Sequence, residues 1–448
     1  MPHALPSSIP APPPASVPAP PPATAPNRAL RRWLAGELAH LRPEIAASAT
    51  ACDAERYRKH FDSYAHACLL LFHGLSSGPS LRQSYATFAE CPQWAALSGL
   101  STDRTGDLAV SFSHVAASNT SRPPAFLAGL IPALSARVRR CGRSAVSAVP
   151  PDVRILDGTF LRVSLRLAPW LDLSAHTKRP GMVAQTLYTP ALDLPEHVVL
   201  TDAHTPDVRG LDHALLDDPA QLAALRDQTL IMDLGYYSHT RLARLLDADV
   251  HVVTRLHPQA ALHVAEDLPV QAPLPGLAPT DGAGGRIVVD HDQRVTVGSP
   301  HNHKSTVLPG LRLVTATVAP TREAARHGAQ PIVYRILTDR HDLAAAAVVQ
   351  LYLWRWQIEQ FFRWLKSYVH LPRLLGYSHA AVELTVWLAV IVHLLSRLAA
   401  HARGLSRRSP ALLRQCLVAA LLLDLADVAA AAPPAAVQRA LPLPPAPP

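Results

Sequence analysis

Cysteine is scarce in this chain. Its five thiols, Cys52, Cys68, Cys91, Cys141 and Cys416, are scattered with no pair at metal-ligand spacing. That excludes a zinc ribbon and reads as reduced, mostly buried thiols of a cytosolic protein. The 23 histidines include no His-Glu-x-x-His pattern, so a zinc hydrolase site of that kind is also excluded. The tripeptide His301-Asn302-His303 is incidental, because the nuclease motif it spells is spread over a larger unit. Gly282, Gly284 and Gly285 lack the Lys-Ser/Thr of a phosphate loop and read as a flexible turn. Long apolar runs are missing too. Residues 384–395 and 412–423 are each about a dozen residues long, too short to span a bilayer, and His393, Arg397, Arg414 and Asp424 interrupt or bound them. They are expected as buried helices. The N-terminus has no charged start followed by an apolar run, so no signal peptide is expected, and no membrane partner.

What is present is a large apolar fraction, 49% of residues, against only 17% charged. A sizeable core follows, and the length suits about two or three domains. The net charge of +8 fits a nucleic-acid partner, although an anionic membrane surface would also suit it. Residues 1–27 and 429–448 are dominated by Pro and Ala and are expected as a disordered arm and tail. Between 28 and 145 the segments 30–41, 61–72, 81–88 and 126–138 carry helical patterns. Arg28, Arg31, Arg32, Arg56, Arg58, Lys59, Arg82, Arg139 and Arg140 are candidate phosphate contacts there, although most surface arginines serve only solubility.

The most informative stretch is 352–366, Tyr352-Leu-Trp-Arg355-Trp-Gln-Ile-Glu359-Gln-Phe-Phe-Arg363-Trp-Leu-Lys366. At about 100° per residue, Tyr352, Arg355, Glu359, Arg363 and Lys366 fall within an arc of roughly 80°. Trp354, Ile358, Phe361 and Leu365 fall opposite. The spacing predicts one helix, capped by Asp342, that buries an apolar face and presents a carboxylate among cations. A charged face of this kind is usually just solvated. Here the flanking aromatics imply deep packing, and a lone acid among three bases suits a metal site beside a polyanion.

The pattern Tyr352-x2-Arg355-x3-Glu359-x6-Lys366 resembles the signature of the insertion-sequence DDE transposases of the insertion-sequence-four type. The flanks Leu374-Leu375-Gly376 and Trp387-Leu388-Ala389 are similar as well. The resemblance implies two upstream catalytic aspartates at strand ends. Asp157 stands in Val153-Arg-Ile-Leu-Asp157-Gly158-Thr159, and Asp233 in Leu230-Ile-Met-Asp233-Leu234-Gly235-Tyr236. Taken alone, each is more often a turn former than a catalyst. Their order, about 75 and 125 residues apart on the way to Glu359, makes the joint coincidence hard to explain blandly. Leu234 departs from the arginine usual in the family at that position. Asp202 and Asp207, after the third strand, are expected as structural neighbours of the site.

The resemblance implies an α/β fold with a ribonuclease-H-like core. It assigns 28–145 to a helical DNA-binding region, 150–256 to the first part of the core and 257–330 to a β-rich insertion. The last strand and the Glu359 helix fall in 331–378, followed by C-terminal helices in 379–428. Segment 111–123, which ends in Arg122-Pro123, looks like a short helical piece of the family's end-binding region. Two Mg²⁺ or Mn²⁺ ions are implied, with Asp157 bridging both, Asp233 holding one and Glu359 the other. Tyr352, Arg355, Arg363 and Lys366 are implied to contact DNA. The partners are double-stranded DNA, as transposon ends and target, and a second copy in a homodimer on synapsed ends. The implied activity is metal-dependent strand cleavage and strand transfer by a bacterial cytoplasmic protein, nucleoid-associated when bound. The alternatives are a catalytically silent DNA-binding relic acting as a repressor, and a ribonuclease-H-like nuclease without strand transfer.

Overall fold

In a computed structural model, the structure describes residues 26–56, 61–76, 80–102, 107–141, 149–163, 180–270, 286–299, 306–320, 322–368 and 374–402. The N-terminal arm before residue 26, the 412–423 run, Cys416, the 282–285 glycines, the His301–His303 tripeptide and the C-terminal tail lie outside them.

Among the described residues, the first elements are seven helices: α1 (Pro26–Ala51), α2 (Ser63–Leu75), α3 (Leu81–Ala89), α4 (Pro92–Ser98), α5 (Phe112–Ser121), α6 (Ala125–Ala128) and α7 (Leu130–Arg140). Side-chain oxygens cap three of them. Asp62 accepts from Ala65 N at 2.7 Å, and Ser80 and Ser111 accept from the amides of Gln83 and His114 at 3.3 Å. The single helix expected over 126–138 is instead two, α6 and α7, which meet at Gly129. The side chain of Ser48 from α1 lies against Gly129, where a Cβ would collide with it.

A nine-stranded sheet follows, built from β1 (Val153–Arg162), β2 (Gly181–Thr189), β3 (Leu194–Asp202), β4 (Thr229–Met232), β5 (His251–Arg255), β6 (Leu262–Asp267), β7 (Ile287–Val297), β8 (Leu308–Val318) and β9 (Ile332–Thr338). Its order is β3-β2-β1-β4-β5-β9-β8-β7-β6. β1, β4 and β5 are mutually parallel, and every other neighbouring pair is antiparallel. The strands of the expected insertion are therefore not a separate sheet. They pair through β9 and continue the sheet beyond β5.

Between β3 and β5 lie α8 (Asp207–Leu211), α9 (Pro219–Ala224) and α10 (His239–Asp247). The helical stretch that follows Asp207 breaks at Asp218-Pro219. Pro219 lacks an amide to continue the preceding turn, and Asp218 caps α9 by accepting from Ala220 N and Gln221 N. After β8 come the short α11 (Arg322–Arg326) and, after β9, α12 (Ala345–Leu353), α13 (Trp356–Tyr368) and α14 (His379–Ala402).

Strand periodicity divides the core between the two faces of the sheet. Ile155, Ile231 and Val253 belong to one apolar cluster, with α1–α7 and α12–α14. Leu156, Leu230, Met232 and Val252 belong to the other, with Leu211, Leu242 and Leu245 from α8 and α10. The helix α14 is long and apolar enough to cross a membrane by composition, but it is buried against α2, α5, α7 and α13 as a core helix. A buried ion pair secures the outer strands to the site-bearing helices. Arg312 grips Asp292 at 2.8 and 2.6 Å and donates to the carbonyls of Arg340 and Leu343, just before α12.

Candidate active site

Register brings the two aspartates together. Ile155 pairs with Ile231 and Leu156 with Met232 across the parallel strands β1 and β4. Asp157 and Asp233 are each the next residue, so they stand side by side on neighbouring strands. By alternation they share the face of Ile155 and Ile231, the face covered by α12 and α13. Asp157 lies within β1, because that strand runs on to Arg162. Asp233 follows the last residue of β4 and leads into a one-turn helix, Leu234–Tyr236.

Glu359 comes from the first turn of α13. The expected continuous helix over 352–366 is interrupted: α12 ends at Leu353 and α13 starts at Trp356. At the joint the hydrogen bonds tighten to three-residue spacing. The amides of Arg355, Gln357 and Ile358 donate to the carbonyls of Tyr352, Trp354 and Arg355 at 3.0, 2.9 and 3.2 Å. The turn leaves Trp356 63% exposed.

The joint aims Arg355 inward. Its Nη1 donates to Asp157 Oδ2 at 2.7 Å and lies 3.9 Å from Glu359 Oε1, while its Nε lies 4.0 Å from Asp233 Oδ1. One guanidinium thus faces all three carboxylates. Tyr352 donates its hydroxyl to Asp233 Oδ1 at 3.0 Å. Of the four residues expected at DNA phosphates, two therefore bond carboxylates here. Arg363 and Lys366, four and seven residues beyond Glu359 on α13, are exposed.

Burial governs the electrostatics. It pushes the Asp157 carboxyl up to about 6, and the nearby Glu359 and Asp233 charges push the same way. The Arg355 guanidinium and the Gly158 amide, which donates to Oδ1 at 2.9 Å, pull against them. For Arg355, burial opposes the charge, but Asp157 and Asp233 outweigh it and hold the group above its ordinary value. Burial and then Asp233 raise the Tyr352 phenol. Arg355 Nε is buried and makes no hydrogen bond.

One supporting residue, Gln185, was not singled out in the sequence. Gln185 opposes Gly158 across β1 and β2, and its Oε1 accepts from Tyr236 OH at 2.5 Å; both side chains are buried. This bond ties β2, the neighbour of the Asp157 strand, to the turn after Asp233. A Cβ on Gly158 would stand only 2.9 Å from Gln185 Oε1 and 3.1 Å from Tyr236 OH. A Cβ on Gly235 would collide with Asp207 Oδ2, so the Asp-x-Gly-Tyr glycine is the space into which Asp207 packs. Strand alternation marks Gln185 only as a polar residue in an apolar strand. Its partner is 51 residues away and has no local signal.

The 111–123 segment is built into the core. Asn119 donates to the carbonyl of Leu375 at 2.8 Å and bonds His66 at 2.7 Å, and Arg122 donates to the carbonyl of Phe61 at 2.6 Å. It therefore fastens the N-terminal helices to the chain entering α14.

Residues 149–395, more than half of the chain, match the Transposase DDE domain family. The chain belongs to that family. It is 26% identical over 320 residues to “Putative transposase y4zB” of Sinorhizobium fredii, covering 70% of this chain and 78% of that protein. It is also 26% identical over 263 residues to “Probable transposase for insertion sequence element IS5377” of Geobacillus stearothermophilus, covering 58% of this chain and 60% of that protein. The cryo-EM structure of the piggyBac transposase synaptic complex with hairpin DNA aligns at a TM-score of 0.36 and 10% identity. That alignment covers 66% of this chain and 58% of the other, a likeness too slight to carry an argument. This chain is thus a DNA transposase of the DDE family. DDE enzymes use divalent metal ions, and the oxygen donors of Asp157, Asp233 and Glu359 suit a hard cation. Among the described residues, no group of three acidic, histidine or cysteine side chains stands close enough to hold one ion.

Proposed function

We propose that this transposase binds the terminal inverted repeats of its element, cleaves at the ends by metal-dependent phosphodiester hydrolysis and joins the 3′ ends to target DNA as a homodimer. The observation that carries this reading is the convergence of Asp157, Asp233 and Glu359, from remote segments, on one guanidinium. The sheet supports a ribonuclease-H-like core: β1 to β3 form an antiparallel meander and β4 and β5 add in parallel on its other side. The exact match of Tyr352, Arg355, Glu359 and Lys366 to the insertion-sequence-four signature supports that subtype.

In this reading Asp157, Asp233 and Glu359 would hold two Mg²⁺ or Mn²⁺ ions, which would supply charge neutralisation at the scissile phosphate and at the attacking and leaving oxygens. The chain's own residues do the rest. Tyr352 orients Asp233 through its hydroxyl. The Gln185–Tyr236 bond braces the turn after Asp233 against β2, the neighbour of the Asp157 strand. Arg363 and Lys366 extend a cationic, solvent-facing row from Glu359 along α13, where a phosphate backbone can lie.

The test replaces Asp157→Asn, Asp233→Asn and Glu359→Gln one at a time, on a duplex copied from the DNA flanking the gene. Each change conserves volume and removes one charge. Strand nicking should fall by several orders of magnitude while a mobility shift on the same DNA persists. Normal nicking by any one variant removes that residue from the site. Nicking by the wild type without joining of 3′ ends would instead indicate a nuclease, and no nicking at all a repressor-like relic.

A further inference from the structure

A cation in the middle of a site meant for cations calls for a physical account. Arg355 is not a surface residue that happens to lean in. Its side chain is only 16% exposed, and it reaches Asp157 at 2.7 Å and Glu359 at 3.9 Å with one nitrogen. Three carboxylates facing one small space repel one another, and the guanidinium offsets that repulsion. Yet the fit is incomplete. Nε is buried with no hydrogen bond, and Asp233 Oδ1 is 4.0 Å from it. A guanidinium resting permanently in an optimised site would satisfy that donor. The backbone that carries Arg355 is the tightened joint between α12 and α13, a local geometry often found at hinges. The exposed cations Arg363 and Lys366 continue outward from the same helix, so a DNA strand drawn to them would pass near this joint.

We propose that Arg355 is a resident counter-ion that holds the three carboxylates together until DNA arrives, then transfers its guanidinium to a DNA phosphate and frees the carboxylates for metal. The inference rests on the proposed metal-and-DNA reading of the site and adds an order to it. Once turned to a phosphate, Arg355 no longer holds Asp157 and Glu359 together. Its departure toward DNA lowers the positive charge at the carboxylates, so DNA binding strengthens metal binding. By linkage, metal must strengthen DNA binding by the same factor. The device would keep the catalytic centre closed to metal when no DNA is in place.

The test measures Mn²⁺ binding to the full chain by electron paramagnetic resonance of the free ion, with and without the flanking-DNA duplex. The wild type should bind Mn²⁺ weakly alone and about 5- to 150-fold more tightly with duplex, the usual range for coupled sites. Arg355→Gln should bind Mn²⁺ tightly without duplex and gain little from it. Arg326→Gln, which removes an exposed charge on α11 outside the site, should bind Mn²⁺ alone as the wild type does. The wild-type coupling needs no variant, so a poorly folding Arg355→Gln leaves the proposal testable, and Arg355→Lys, too short to face all three acids, should lie between. Equal Mn²⁺ affinity in the wild type and Arg355→Gln, lost in Asp157→Asn, would overturn the counter-ion role while leaving the metal site intact. Wild-type affinity unchanged by duplex would overturn it as well. No Mn²⁺ binding by any form, with or without duplex, would remove the underlying metal reading itself.

Discussion

Tyr352 donates its hydroxyl to Asp233 at 3.0 Å, although 119 residues separate them. The bond joins the last turn of α12 to the end of β4, and it involves the half-exposed carboxylate rather than the buried one. Asp233 has a side chain 41% exposed, against 13% for Asp157. Tyr352→Phe removes one bond to a carboxylate that water can partly replace, and it leaves the packing of the ring against Tyr334 intact. The loss should be about 1 kcal/mol, a few degrees at most in melting temperature. Nicking should fall about tenfold and recover in part at high Mn²⁺, because Asp233 is intact but less well oriented. A full loss of activity with normal folding would show that the phenol acts directly on DNA or metal.

Stability in EDTA should depend on pH through Asp157. Its folded carboxyl titrates at about 6, against an ordinary value of 3.8. Between those values the folded chain keeps a proton that the unfolded chain has released. Stability from this group therefore declines as pH rises through the window, and the penalty is fully present above about 6. Asp157→Asn lacks the titration. It strands no lone cation, because Arg355 still faces Asp233 and Glu359. In EDTA the variant should gain on the wild type between pH 4 and 7, by on the order of 2 kcal/mol. Parallel curves in thermal melts across that range would mean that the carboxyl is not held raised by burial.

Gly158→Ala should disturb the site without touching a carboxylate. The new methyl would press on Gln185 Oε1 and Tyr236 OH, both buried beside the Asp157 strand. Overpacking of this sort costs roughly 1–3 kcal/mol. A lowered melting temperature together with a disproportionate fall in nicking would show that the Gln185–Tyr236 bond positions the turn after Asp233 against the Asp157 strand. An unaffected melt and rate would remove that role.

Lys366→Ala and Arg363→Ala should leave the fold alone, since both side chains are exposed. Each should flatten the salt dependence of duplex binding by about 0.9 in the log–log slope, the signature of one lost phosphate contact. A filter-binding or anisotropy titration across salt concentrations measures it. An unchanged slope in both would mean that DNA runs elsewhere.

Much of the fold was legible because local periodicity reports which face of a strand or helix is apolar. The alternation of Ile155, Leu156 and Asp157, and the apolar side of α13 at Ile358, Phe361 and Leu365, can be read directly from residue order. The resemblance of the motifs pointed to Asp157, Asp233 and Glu359, which the fold brings around one guanidinium. Other features were beyond local rules. Asp342 has the residue type of an N-cap, yet Ala344, which has no side-chain acceptor, occupies that position, and Asp342 accepts from Arg340 at 2.8 Å instead. The strands of the expected insertion join the core sheet because β9 pairs with both β5 and β8, a matter of long-range register.

The direction of Arg355 is the clearest case. Helical periodicity places it on the same arc as Arg363 and Lys366, and by that rule all three share one environment. The residue order alone determined the charged arc and the buried aromatic side. Only the tertiary structure decided that the helix breaks at Trp354 and Arg355 and that one cation turns inward while two stay in water. The reason is the range of the forces. Periodicity reflects contacts within a few residues, whereas the charge that draws Arg355 inward lies on a strand 198 residues away and reaches it only after the sheet has formed.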